Sequence, residues 1–286
     1  MNILKATTKL NQTPMVSIRP QTRWFSFNLQ ELWAFRELLY FLTWRDIKVR
    51  YKQTIIGFVW AILQPALMTL IFTLFFNRLA GISAPEGVPY ALFIFTAMTP
   101  WNLFASGVTR ASNSLLYDAA LIQKVYFPRL ISPLASILSP LLDFLFTFIV
   151  LIGLMLVFGY VPLIYMLGVI PLLGLILMFA LGIGLWLAAL NVEFRDVGYI
   201  VPFLVQCLFF ASPVIYSSSI IPPQYRLAYG LINPMSGIVE GFRWAILHTA
   251  IPSIPMMFAS TAIIVFILVT GIFYFRFREK AFADVV

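Results

Sequence analysis

Leu141–Phe158 reads LLDFLFTFIVLIGLMLVF, eighteen residues with a single charge, Asp143. A helix that crosses a bilayer needs about 20 mostly apolar residues, so such a run has lipid for its solvent. It lacks the polar/apolar alternation of a membrane barrel strand, whose segments are about 10 residues long. In lipid every backbone N–H and C=O must be satisfied internally, which leaves the helix. Working outward, runs of the same character lie at Ile55 to Phe76, Tyr90 to Val108, Pro162 to Leu190, Val197 to Tyr216 and Pro255 to Phe275. An all-α integral membrane protein with six transmembrane helices is expected.

Composition agrees. The 286 residues are 61% hydrophobic and 10% charged, with a mean hydropathy of +0.93, where soluble domains carry about 25% charged residues. One Cys (Cys207) and one His (His248) exclude a disulfide framework, a zinc site and most nucleophile/base pairs. Met1 to Arg23 is polar and lacks the apolar core of a cleavable signal peptide. The net charge of +8 could suggest nucleic acid, but the basic residues gather at helix ends. With both termini inside, the cytoplasmic face receives nearly all of them, from Lys5 to Lys280, leaving Arg78, Arg226 and Arg243 outside. That is the bias of a membrane topology signal, and no nucleic-acid partner is expected.

The fourth run is longer than a bilayer requires and holds Pro162, Pro171, Gly182 and Gly184, so tilt or a short non-spanning entry is expected. Pro65, Pro100, Pro140 and Pro202 should each bend a span, with neighbouring helices satisfying the freed carbonyls. Residues 30–53 place Leu32, Phe35, Leu39 and Leu42 at helical spacing, beside Trp33, Tyr40, Trp44 and Tyr51 and a basic C-terminal half. They read as an amphipathic helix on the cytoplasmic interface, a soluble helix packed on a partner being the alternative. Its basic stretch, Arg45, Lys48, Arg50 and Lys52 with Trp44, either gathers anionic substrate headgroups at an entrance or anchors the chain to anionic lipid. Ser217 to Ser253 is too polar to span twice and reads as short external or re-entrant helices.

Chemistry has few candidates. Asp143 is the clear carboxylate inside a span, and an intramembrane charge must be paired, protonated or wet. Arg110, at the inner end of the second span, is its expected partner, either on a translocation route or as a structural ion pair. No Lys follows a Gly anywhere in the chain, so there is no P-loop, and ATP hydrolysis is expected on a separate subunit. Two inner loops suit contact with it. One runs from Leu121 to Leu130, with Gln123, Lys124, Tyr126, Phe127 and Arg129; the other holds Glu193, Phe194, Arg195 and Asp196. Large apolar rings at positions otherwise left to water point to an interface. A membrane-embedded transferase would need a cluster of His, Asp or Glu near one face, and the sequence offers none.

The run Trp44-Arg-Asp-Ile-Lys-Val-Arg-Tyr51, then Gly57, Trp60 and Gln64-Pro65, Lys124 to Arg129, Asn191 to Asp196 and Asn233-Pro-Met235 resembles the ABC-2 type permease family. It is most similar to the polysaccharide export branch that serves O-antigen, teichoic acid and capsule. The resemblance spans about Leu38 to Phe275 and implies residues 54–276 as the transmembrane domain, with tails at 1–29 and 277–286. It further implies a homodimer with two ATPase copies that bind ATP and Mg, no cofactor on this chain, and a lipid-linked polysaccharide moved outward across a bacterial inner or plasma membrane. A drug or lipid exporter of the same family is the nearest alternative. On that map the two inner loops are coupling elements and Trp60, Trp101, Arg110 and Asp143 are channel candidates. Asn233, Pro234, Glu240 and Arg243 belong to an external gate.

Overall fold

The computed structural model describes residues 29–52, 59–85, 87–161, 164–279 and 282. Gly57, the start of the first expected span, and Pro162 lie outside the described residues, as do the N-terminal tail and most of the last residues. The architecture is helical throughout the described chain: α1 (Leu29–Ala34), α2 (Arg36–Lys52), α3 (Val59–Phe72, continued by a π-helical stretch Thr73–Leu79), α4 (Tyr90–Tyr117), α5 (Ala119–Lys124), α6 (Ile131–Leu138) and α7 (Leu141–Val157). A 3₁₀ turn (Ile164–Gly168) then leads into α8 (Val169–Glu193), followed by α9 (Val197–Ala211), α10 (Arg226–Ile232), α11 (Met235–Leu247) and α12 (Ile254–Arg278).

Among the described residues five units are long and apolar enough to cross a membrane: Val59–Leu79, Tyr90–Tyr117, Ile131–Val157, Ile164–Glu193 and Ile254–Arg278. The sixth expected span is shorter than predicted, because α9 stops at Ala211 after 15 residues. There the chain turns, and Tyr90 donates from its hydroxyl to the Ile215 carbonyl at 2.9 Å. The third span is longer than expected, since α6 precedes α7 and the helix breaks between Leu138 and Leu141, at Pro140. The fourth opens with the 3₁₀ turn Ile164–Gly168 ahead of α8.

The central helix is α4, packed against α8, α6, α11 and α7. Its most apolar window is 78% buried, against 11% for α3. Leucine, isoleucine and phenylalanine side chains on the outer faces of α3, α7, α9 and α12 remain exposed, among them Leu70, Ile149, Phe203 and Phe266. Apolar faces of that extent need lipid to cover them. Gly182 and Gly184 serve contact between helices more than tilt. A Cβ at Gly271 of α12 would lie 2.4 Å from the Gly182 carbonyl, and one at Gly184 would lie 2.5 Å from the Ala111 Cβ of α4. Small residues of this kind let backbones close on each other where no hydrophobic effect drives association. Pro65 frees the Ala61 carbonyl one turn earlier, and Thr147 of α7 donates to that oxygen at 3.4 Å.

α2 lies across one end of the bundle, along α6. Leu42 is buried, and Leu32, Phe35 and Leu39 pack on the second core with Phe127, Leu130, Ile131 and Phe275. Trp33, Tyr40 and Trp44 point away and are exposed. The predicted apolar row therefore seats the helix on its own protein, while its rings face outward. At the opposite end α10 and α11 fold back between α9 and α12. α11 is buried along most of its length, wedged against α4, α12 and α8.

Candidate functional site

An open cavity of about 530 Å³ runs along α4 between α3, α7 and α9, and Arg50 of α2 also lines it. The lining residues of α4 include Thr99, Asn102, Ser106, Thr109, Arg110, Asn113 and Tyr117. Thr99, Asn102, Ser106, Thr109, Asn113 and Tyr117 follow one another at steps of three or four residues, with Arg110 beside Thr109, so a straight helix carries them on one stripe. From Thr99 to Tyr117 that stripe rises about 27 Å, close to the roughly 30 Å of a hydrocarbon core. Most of the rest of α4 is buried, Thr96, Ser112 and Ser114 included, and Leu103 and Ala105 line the space beside the polar groups. Polar side chains at this depth are tolerated where they line water or protein.

Asp143 lines the same cavity, but Arg110 is not its partner. The Arg50 guanidinium pairs with the Asp143 carboxylate, and the Tyr51 hydroxyl donates to its second oxygen. Sequence separation hid this, because α2 was read as a surface element. Arg110 and Asp143 do share one interior space. The other channel candidates part company. Trp101 is 4% exposed and packs its ring on Phe104 and Phe209, as core. Trp60 is exposed on α3.

The basic stretch also divides. Arg45 pairs with Asp46 at 2.8 Å and with Asp118 at 2.7 Å, binding α2 to the end of α4. Lys48, Lys52 and Trp44 are exposed. In the first inner loop Gln123, Lys124 and Tyr126 are exposed, but Phe127 is 4% exposed and belongs to the second core, so it is not an outward anchor. Its burial follows from Pro128 and Leu130, which turn the chain back into the bundle. In the second loop Glu193, Phe194, Arg195 and Asp196 are all exposed.

The end of α12 ties these loops together, which sequence reading missed. Glu279 accepts from the Arg129 backbone N–H at 3.3 Å, its carbonyl accepts from the Arg129 guanidinium, and Arg276 pairs with its carboxylate at 2.8 Å. Arg278 reaches Glu193 at 3.0 Å. Asn191, fully buried, adds a junction among three helices: its amide donates to the Ser112 carbonyl at 2.9 Å and to Asn113 at 3.1 Å, and its oxygen accepts from the Gly198 N–H at 3.0 Å. The signals for both were an Asn at an inner helix end and the Arg/Glu run closing α12.

At the opposite end, a second open cavity of about 870 Å³ is lined by Ser217, Arg226, Glu240, Arg243 and His248, among others. Arg243 is 1% exposed. Its guanidinium donates to the carbonyls of Val214 at 2.8 Å and Tyr216 at 3.2 Å, pairs with Glu240 at 3.1 Å and lies 3.5 Å from the Phe93 ring centroid. Asn233 is buried too, donating to the Ala211 carbonyl at 3.0 Å and to Ser212 at 2.9 Å, which locks the α10–α11 turn, with Pro234 at its corner, to the end of α9.

The comparisons with known proteins fall on this framework. Residues 37–247 match the family model described as ABC-2 type transporter. The chain is 32% identical over 210 residues to an O-antigen export system permease protein RfbA of Klebsiella pneumoniae, covering 72% of this chain and 79% of the relative. It is 29% identical over 258 residues to the protein of the same name from Myxococcus xanthus, covering 90% and 98%. The polysialic acid transport protein KpsM of Escherichia coli is 27% identical over 245 residues, covering 83% and 92%. The matched segment takes in the interface helix α2, the polar stripe of α4, both inner loops and the buried helix α11, so the chain belongs to the ABC-2 type transporter family.

Proposed function

We propose that this chain is the membrane-spanning subunit of an ATP-driven exporter that carries a lipid-linked polysaccharide, O-antigen-like, outward across the bacterial inner membrane. The observation that carries the reading is the polar stripe of α4, open to a cavity at membrane depth. Hydroxyl and amide groups along a path can exchange hydrogen bonds with a hydroxyl-rich polymer as it advances. The names of the RfbA relatives support O-antigen, and KpsM supports a capsular glycan as the second reading.

The α2 end would be cytoplasmic, since Arg45, Lys48, Lys124, Arg129, Arg195, Arg276 and Arg278 gather there. Exposed Tyr126 and Phe194 would seat on an ATPase that binds ATP and Mg. A homodimer is expected because the cavity is open on one side and α3, beside it, is poorly covered within one copy. Reconstitution with an ATPase in proteoliposomes tests the function. ATP-dependent appearance of lipid-linked glycan in the far leaflet is expected. Hydrolysis that moves no glycan of either class contradicts it.

A further inference from the structure

The last turn of α12 carries Arg276 and Arg278, cations that suit the negative end of the helix dipole, and Glu279 follows as its cap. Glu279 keeps helical backbone angles, so it shares a face with Arg276, three residues earlier. Arg278 stands about 160° around the axis from Arg276. One turn of helix therefore presents a different charged face to each inner loop. Glu279 takes the first loop: its carboxylate accepts from the Arg129 N–H at 3.3 Å and pairs with Arg276 at 2.8 Å, while its carbonyl accepts from the Arg129 guanidinium. Arg278 takes the second, through Glu193 at 3.0 Å.

The same helix end is rooted beneath both loops. Phe275 and Phe282 share the second core with Phe127 and Leu130 of the first loop and with Val192 at the base of the second. The exposed rings stand close to the tied residues, Tyr126 three positions before Arg129 and Phe194 directly after Glu193. Apolar packing is non-directional, so the core fixes where the loops start and leaves their tilt open. Hydrogen bonds and ion pairs supply the direction. The Arg278–Glu193 pair is 38% and 40% exposed, so it adds little to the stability of the fold. Its placement suits orientation.

We propose that the end of α12 is a tie between the two inner loops, with Glu279 holding Arg129 and Arg278 holding Glu193, so that a push on either loop moves both. The proposal rests on the reading of these loops as ATPase-docking elements for its role in export, but the tie itself concerns this chain alone. The push also reaches the bundle, because α12 packs along α8 and approaches its backbone at Gly271 and Gly182. With the tie cut, each loop would still seat on an ATPase, and part of the motion delivered there would be spent in the loops instead of the helices. Glu279 and Arg278 are thus positioning residues for coupling.

The spacing of the loops tests the tie without an ATPase. In a Cys207→Ala chain, spin labels at Gln123→Cys and Asp196→Cys, diluted with unlabelled chain so that distances within one copy are read, should give one narrow separation in lipid nanodiscs. Glu279→Ala combined with Arg278→Gln should broaden it, and an unchanged distribution overturns the proposal. In proteoliposomes with the ATPase, Glu279→Ala and Arg278→Gln should each raise the ATP hydrolysed per glycan exported about threefold, at unchanged ATPase co-purification and unfolding temperature. Arg278→Lys, which keeps the charge opposite Glu193, should hold the ratio near that of the parent chain. Export and hydrolysis that fall in step, or Arg278→Lys behaving as Arg278→Gln does, overturns the proposal. Should Glu279→Ala fail to fold, the two Arg278 variants decide, since that pair is largely solvated. Absence of glycan export by the parent chain would defeat the exporter reading, and the label distances would still decide the tie.

Discussion

Arg50, in the last turn of α2, is ion-paired with Asp143, in the first turn of α7. A helix that lies across the end of the bundle is thereby fastened to one that runs through it. The side chains are 35% and 17% exposed, so the pair is part-buried, weaker than a sealed pair and stronger than a surface one. Arg50→Ala or Asp143→Ala should each destabilise the fold by about 1–3 kcal/mol. The double variant should lose less than the sum, because neither charge is then stranded. Thermal unfolding of the four proteins in detergent gives the cycle, and strictly additive losses would contradict the contact.

The α8–α12 crossing depends on two glycines that meet. Gly271→Val should separate the helices and cost about 1–3 kcal/mol, since a new Cβ has the Gly182 carbonyl 2.4 Å away. Gly174→Ala is the control, with nothing within 4 Å of the added Cβ. It should be neutral or slightly stabilising, because alanine is the better helix former. Unfolding temperatures of the two variants that move equally would refute the contact.

Inner-loop aromatics that look alike in sequence should fail differently. Phe127→Ala opens a cavity in the second core and should cost about 3–5 kcal/mol with loss of expression. Tyr126→Ala and Phe194→Ala remove exposed rings, should leave the unfolding temperature unchanged, and should weaken ATPase association. Co-purification and thermal unfolding separate the two effects. Stable, undiminished association of the Tyr126/Phe194 double variant contradicts the docking role.

Arg243 should tolerate no simple replacement. Removing it leaves Glu240 with only the Ser218 N–H and two carbonyls without their donor, an expected loss of about 3–5 kcal/mol. Arg243→Lys should recover little of this, because an ammonium cannot span Val214, Tyr216 and Glu240 in the plane that stacks on Phe93. Full stability of Arg243→Lys would show that charge alone suffices.

The sequence makes the spans legible because lipid imposes one requirement on every residue of a run, as in Leu141–Phe158. Side-chain partners obey no such local rule. Asp143 and Arg110 stand on consecutive spans and so suggest a pair, while the partners Arg50 and Tyr51 lie over ninety residues away on the interface helix. Phe127 and Phe194 share a character and a kind of loop, and only the fold decides that one is core. Trp101 has the same ambiguity inside a span. The α4 stripe was readable in principle, as Thr99, Asn102, Ser106, Thr109 and Asn113 keep helical register, but hydropathy averaging dissolves it among apolar neighbours.

That stripe carries the central claim, and thiol accessibility tests it most directly. In a Cys207→Ala background, cysteines at Asn102 and Ser106 are exposed to a hydrophilic, membrane-impermeant thiol reagent, with Lys124→Cys as the water-facing reference and Phe266→Cys as the lipid-facing one. Labelling of the two α4 positions, slowed by bound lipid-linked glycan and altered by ATP in the presence of the ATPase, is the predicted result. Asn102 and Ser106 positions that stay as unreactive as Phe266 in every state, while Lys124 reacts, would contradict a translocation route along α4.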